Sequence, residues 1–268
     1  MTKHLLVLDL DGTIMLDFSR YDEETFAYLK RLKEVGHIIV LATGRPFRSS
    51  YFIYEILDLD TPLINYNGAY ITNPRNPNYP ITDLRIPKDA LIDIINHIKQ
   101  GLINVFCEIY DDIYVHNYNE LIHDFLHVDG GHLHSGPLDT ILFDHPHGAL
   151  IFVESDYIDE LHRYVDEKYK GIISSRYWSV NEFHIVEIYN PHVDKANGLL
   201  EVMAYYNIDQ KHTIAIGDGH NDIGMIQAAG IGVAMKNSHP ELIHYADYIT
   251  ASYDQQGVLH FLKSYFKI

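Results

Sequence analysis

The sequence predicts an α/β protein, a Rossmann-like parallel-sheet core with a second, mixed α+β domain inserted into it. Two observations carry that expectation. Short apolar runs alternate with longer amphipathic stretches at both ends of the chain, the pattern of a parallel sheet with helices on both faces. Between the two ends this alternation gives way to hairpins and short helices. The 268 residues suit one large domain or two modest ones, at about 100–200 residues each. The expected parse is a core of residues 1–83 and 189–268, with residues 84–188 inserted.

Each element has its own reason. His4–Leu10 is a continuous β-prone run, expected as a buried strand. Asp22–Val35 predicts a helix with Phe26, Leu29, Leu32 and Val35 on one face and Gly36 just past its end. His37–Ala42 is the next strand, and Pro46 sits where a helix would begin. Leu63–Asn65 and Ala69–Thr72 bracket a turn at Asn67-Gly68. Asn73–Pro80 packs three prolines and three asparagines into eight residues and reads as a linker or exposed connection. The inserted segment then predicts a helix at Lys88–Gln100 and a hairpin of Ile103–Tyr110 with Ile113–Asn117 around Asp111-Asp112. A helix near Asn119–Val128, a strand near Ala149–Glu154 and a helix near Asp156–Tyr169 follow. Strands near Ile172–Arg176 and Phe183–Ile188 complete it. From Asp194 the first pattern returns: helix to Tyr206, strand Thr213–Ile216, helix Asp222–Ala229, strand Ile231–Ala234. A short helix near Pro240, a strand at Tyr248–Thr250 and an amphipathic helix Gly257–Phe266 close the chain.

Composition narrows the function classes. With 20 Lys+Arg against 37 Asp+Glu the formal charge is −17, which argues against nucleic-acid and anionic-membrane partners. A single cysteine, Cys107, allows no internal disulfide and fits a reducing, cytoplasmic compartment. The run Leu5, Leu6, Val7, Leu8 is broken by Asp9 and Asp11 too early for a secretory leader. No run approaches the ~18 apolar residues of a membrane span.

Four short pieces carry chemistry. Asp9-Leu10-Asp11-Gly12-Thr13 follows an apolar strand, so its two carboxylates converge at the strand's end. There they could bind a hard cation, or act as nucleophile and acid–base pair; Asp-Gly is equally a turn signal. Thr43-Gly44-Arg45-Pro46 offers a hydroxyl and backbone N–H groups to a phosphate oxyanion, or is an ordinary strand-to-helix turn. Arg45 could touch substrate or lie on the surface. Lys195 opens a helix, the unfavourable end for a cation unless it neutralises a bound anion. Considered alone it reads as a surface lysine whose loss would not unfold the chain. Gly217-Asp218-Gly219-His220-Asn221-Asp222 combines close-approach glycines with oxygen ligands, and fits neither an EF-hand nor a dinucleotide fingerprint.

Together, and in this order, the pieces resemble the haloacid dehalogenase (HAD) superfamily, specifically the Cof-type phosphatases with a large inserted α/β cap. Asn67-Gly68-Ala69 looks like a further short element of such proteins near the substrate, whereas the usual Gly after the motif lysine is Ala196. The resemblance implies that Asp9 attacks phosphorus while Asp11 serves as acid and then base. It implies that Leu10, Thr43, Gly44, Lys195 and Asn221 bind the phosphoryl group, and that Arg45, Asn67 and Gly68 lie toward substrate. Mg²⁺ would be held by Asp9, the Asp11 main-chain carbonyl and Asp218, with Asp222 and Asn221 completing or orienting its shell. The expected substrate is a small phosphorylated metabolite (a sugar phosphate, pyridoxal phosphate or flavin mononucleotide), bound by a monomer or homodimer. The inserted cap would set specificity.

Competing readings are a sugar-phosphate phosphomutase and a non-catalytic phosphometabolite sensor. The Asp9/Asp11 pair speaks against a sensor, since binding alone needs no second carboxylate beside an anion. A dehalogenase would have little use for a full Mg²⁺ shell, and a transporting ATPase needs membrane spans. Of 18 histidines, seven lie between His116 and His147, including His132-Leu133-His134 and His145-Pro146-His147. Without a thiolate or ordered spacing these pairs make a weak metal site.

Overall fold

In a computed structural model of the protein, the described residues are 2–267 except Phe18, Asp124, His127, Asp129, Asn181 and Glu182. The chain divides into two compact units, one of residues 1–45, 50–82 and 194–268, the other of residues 46–49 and 83–193.

The first unit is built on an eight-stranded sheet among the described residues. Its order is Tyr248–Ile249, Ile231–Ala234, Thr213–Gly217, Leu5–Leu8, Ile38–Ala42, Leu63–Asn65, Tyr70–Thr72, Thr82–Asp83. The first six run parallel, and Leu63–Asn65 pairs antiparallel with Tyr70–Thr72 across the predicted turn. All four residues of Leu5–Leu8 are fully buried, as a strand covered on both faces requires. From Leu5–Leu8 the chain continues to one side through Ile38–Ala42, while Thr213–Gly217 flanks the other side. The strand order therefore reverses between Leu5–Leu8 and Thr213–Gly217. The crevice beyond the carboxyl ends of two such strands is where open α/β sheets bind ligands.

The helix Glu23–Glu34 is capped by Asp22, whose carboxylate accepts from the Thr25 N–H at 2.7 Å, and Gly36 follows at φ 101°. Phe26, Leu29 and Leu32 are buried as the periodicity predicts, but Val35 is 47% exposed. Val35 is the C-cap, where the helical repeat that would have turned it inward has ended. Asn73–Pro80 lies within the first unit, with Tyr79 buried and its hydroxyl donating to Glu201 Oε1 at 3.0 Å.

Among the described residues the second unit carries a six-stranded sheet in the order Ser174–Val180, Phe183–Tyr189, Gly148–Glu154, Leu102–Ile109, Asp112–Val115, His132–Ser135. All its pairings are antiparallel except the last. Alternate residues divide between two cores. Val105, Cys107, Ile151, Val153, Val186 and Ile188 pack with Leu91, Ile94, Leu161 and Val165 of helices Lys88–His97 and Ile158–Lys168. Phe106, Phe152 and Ile185 pack with Ile113, Ile122 and Leu126. Buried Cys107 is a core residue, and desolvation pushes its thiol pKa up.

Three expectations for this segment change. The helix near Asn119–Val128 is a single turn, Glu120–His123; Asp124 and His127 of that prediction lie outside the described residues. The strand near Ile172–Arg176 starts later, at Ser174, and runs to Val180. His132–Ser135 is a strand that periodicity could not announce, because all four of its residues are exposed.

Candidate active site

The site grows from the carboxyl ends of the two strands at the reversal. Asp9 follows Leu8 directly, and its N–H donates to the Ile216 carbonyl at 3.0 Å, which locks the two strand ends together. Asp218 follows Gly217 in the same way. The chain then turns through His220–Asp222 into the helix Ile223–Ala228, so the acidic loop forms a strand-to-helix corner.

Lys195 is the first residue of the helix Lys195–Tyr206, whose N-cap Asp194 accepts from the Ala196 N–H at 2.7 Å. It is 1% exposed, so the surface-lysine expectation is wrong. Its ammonium donates to Asp9 Oδ1 and Asp222 Oδ1, both at 2.6 Å. Burial alone would lower its pKa, but the carboxylates of Asp222 and Asp9 outweigh that cost and raise it. The Asp9 carboxyl also moves up from its ordinary value. Burial and then the Asp222 charge push it up to about 8 against the pull of Lys195. Burial and Asp222 likewise push Asp218 up to about 6.

Asp222 is fully buried and committed on both oxygens, because Oδ2 accepts from the N–H groups of Asp218 at 3.0 Å and Gly219 at 2.9 Å. It shapes the loop that presents Asp218. Asp218 in turn accepts from Thr13 Oγ1 at 3.4 Å and Asn237 Nδ2 at 3.0 Å, and Asn237 Nδ2 also reaches the Gly12 carbonyl at 2.9 Å. Gly12 has φ +75°, and a Cβ there would stand 2.3 Å from Asp218 Oδ2. Only glycine lets the two loops approach this closely.

Among the described residues, Asp9, Asp218 and Asp222 are the group whose ligand atoms all lie within 4.8 Å of one another. Three carboxylates against the Lys195 ammonium leave two formal negative charges. An all-oxygen donor set of that charge fits a hard divalent cation. The Asp11 carboxylate stands outside this group and pairs with Arg45. Among the described residues, the histidines of the second unit form no such group: His134 and His132 face Asp112 at 2.8 and 3.6 Å, and His147 faces Asp83 at 3.1 Å. His220 faces Glu241 at 3.3 Å.

The end of strand Ile38–Ala42 supplies Thr43, which is fully buried and accepts the Arg45 N–H on its hydroxyl at 3.0 Å. Asn67, at φ 56°, sends its N–H to the Thr43 carbonyl at 2.9 Å and accepts Asn221 Nδ2 on its side chain at 2.8 Å. A Cβ on Gly44 would lie 3.3 Å from Asn67 Oδ1, so Gly44, Asn67 and Asn221 are neighbours. Gly68 lies against Asp194, whose carbonyl would be 2.6 Å from an added Cβ. The Leu10 carbonyl accepts from Thr13, Ile14 and Met15, which curls the loop after Asp9. Asn237 belongs to none of the four motif pieces. Its only signal is its place just after Ile231–Ala234, a neighbouring core strand.

The haloacid dehalogenase-like hydrolase family model matches residues 6–262. The chain is 32% identical over 266 residues to 5-amino-6-(5-phospho-D-ribitylamino)uracil phosphatase YitU of Bacillus subtilis (strain 168), covering 99% of this chain and 98% of that one. It is 24% identical to the phosphatase YbjI of Escherichia coli (strain K12), named for the same substrate, over 97% of this chain and 94% of that one. A haloacid dehalogenase-like hydrolase from Bacteroides thetaiotaomicron shares the fold. Its TM-score is 0.82 at 24% identity, over 98% of this chain and 99% of that one. Among the described residues no helix is long and apolar enough to cross a membrane.

Proposed function

The chain belongs to the haloacid dehalogenase-like hydrolases, as a phosphatase of phosphorylated metabolites, and on that footing we propose Mg²⁺-dependent monoester hydrolysis through an aspartyl-phosphate on Asp9. The observation that supports it most is the Lys195 ammonium, buried between Asp9 and Asp222 beside Asp218.

An Asp9 carboxylate oxygen attacks phosphorus, and the bond to the leaving oxygen breaks as the new P–O bond forms. Asp11 gives its proton to that leaving oxygen. It then takes one from the water that attacks the phosphoryl group, which frees Asp9 and inorganic phosphate. An ammonium has three donors, and two of those on Lys195 are spent on Asp9 and Asp222. The third is there for a phosphoryl oxygen. Because the Thr43 hydroxyl accepts from the Arg45 N–H, its own O–H is there to donate to a second. Backbone N–H groups of Leu10 or Gly44, and the Asn221 amide, supply further donors. Asp9, the Asp11 main-chain carbonyl and Asp218 would hold Mg²⁺, with Asp222 orienting that set. When bound, the cation supplies the charge neutralisation that phosphoryl transfer needs most.

For substrate, we take the named activity of the Bacillus subtilis relative as the first candidate. Its name gives a phosphate on a ribityl chain, an alkyl phosphate like those of sugar phosphates, pyridoxal phosphate and flavin mononucleotide. The test is phosphate release from a panel of these with Mg²⁺ present. Release led by the ribitylaminouracil phosphate is the expected result. No release from any member overturns the reading, and interconversion of phosphate isomers without release would mark a mutase.

A further inference from the structure

We propose that Arg45 is a positioning residue for Asp11: its guanidinium fork sets the plane and direction of the carboxylate that exchanges protons with the leaving oxygen and with water. This rests on the acid–base reading of Asp11 given above.

The two partners are unequal. The Asp11 side chain is 47% exposed, and a carboxylate in that setting would turn freely about its side-chain torsions. Arg45 is 6% exposed and fixed at its backbone. Its N–H donates to Thr43 Oγ1 at 3.0 Å, and its carbonyl accepts from Asn65 Nδ2 at 3.0 Å and the Tyr66 N–H at 3.2 Å. Asn65, fully buried, is itself held by Ser50 Oγ at 2.8 Å. From this anchor the guanidinium reaches the loop after the first strand. There Nε donates to Asp11 Oδ2 at 2.8 Å and Nη2 donates to Asp11 Oδ1.

Two parallel N–H···O bonds from a planar donor fix a carboxylate in orientation as well as in place, which a lysine ammonium cannot do. An arginine here could instead meet substrate. The engagement of both Asp11 oxygens by one fork favours the internal role. A proton donor must sit within hydrogen-bond reach of the leaving oxygen, and a displacement of about 1 Å can cost on the order of 10²-fold in rate.

The test compares Arg45→Ala, Arg45→Lys, Asp11→Asn and the double variant Asp11→Asn/Arg45→Ala. Each is assayed on a sugar phosphate that the wild type hydrolyses and on p-nitrophenyl phosphate, whose leaving group departs without a proton. Pre-steady-state release reports the first chemical step, and a thermal midpoint confirms folding. In that first step Arg45→Ala is expected to lose about 10²-fold on the sugar phosphate with KM little changed, and far less on aryl phosphate, while the water-dependent second step slows alike for both. Arg45→Lys should keep the charge without restoring the rate, and the double variant should match Asp11→Asn.

A raised KM at unchanged kcat, rescue by Lys, or losses that add in the double variant would each overturn the proposal. Should Arg45→Ala fail to fold, or Asp11→Asn be too slow to cycle, the leaving-group comparison of Arg45→Lys decides alone. If Asp11→Asn slows the first chemical step no more on the sugar phosphate than on the aryl phosphate, the acid–base reading itself has failed, and the proposal with it.

Discussion

Asp9 and Lys195 carry the residue-scale expectations. Asp9→Asn keeps the shape of the side chain but cannot form an acyl phosphate, so turnover should fall by ~10⁴-fold or more. Near-normal phosphate release would remove Asp9 as nucleophile. Lys195→Met is expected to cost stability as well as rate. It leaves the buried carboxylates of Asp9 and Asp222 without their ammonium, a loss of ~3–5 kcal/mol for a broken buried pair. Urea unfolding of the metal-free variant checks this, and an unchanged midpoint would contradict the buried geometry. Protonation of the same cluster gives a pH dependence. Asp9 and Asp218 are pushed up to about 8 and about 6, and a proton on either must leave before a cation can bind. The rise in Tm on adding Mg²⁺ should therefore be larger at pH 8 than at pH 6, and equal rises would count against these carboxylates as ligands. The candidate catalytic pieces were legible because each sits at a strand end or a helix start in a short motif. The partners were not: Asn237 on Asp218 and Arg45 on Asp11 are contacts across 19 and 34 residues, which no local spacing announces.

At the scale of elements, the loop after the first strand depends on one backbone conformation. Gly12→Ala would strain φ +75° and drive a methyl into the Asp218 carboxylate. Displacing an aligned ligand typically weakens metal binding by ~10–100-fold, so the Mg²⁺ needed for half-maximal activity should rise by that order. An unchanged Mg²⁺ dependence would mean that Asp218 is not held by this contact. Elements were readable from sequence where burial imposed a pattern. Leu5–Leu8 is a run of apolar residues because both faces are covered, and Ile231–Ala234 reads the same way. His132–Ser135 is the counterexample: an exposed edge strand is held by its ladder to Asp112–Val115, and its side chains record nothing of it.

At the scale of the whole molecule, the two units have separate cores and, on this account, separate tasks. The carboxylates, Lys195 and Thr43 all belong to the first unit, so Mg²⁺ dependence should stay with it. Exchanging residues 84–188 for the corresponding segment of a relative is expected to redistribute preference across a metabolite panel at unchanged Mg²⁺ dependence. An unchanged profile in a folded, active chimera would assign specificity to the core loops. The central claim, a phosphoryl group carried on Asp9, is tested most directly by intact-mass spectrometry of acid-quenched Asp11→Asn protein mixed with an aryl phosphate and Mg²⁺. Asp11→Asn should form the acyl phosphate without needing an acid and then fail to activate water. The account predicts one phosphoryl group per chain, on the peptide that contains Asp9 and absent when Asp9→Asn is added. Phosphate release from a chain that is never labelled, or a label on any other residue, would contradict it.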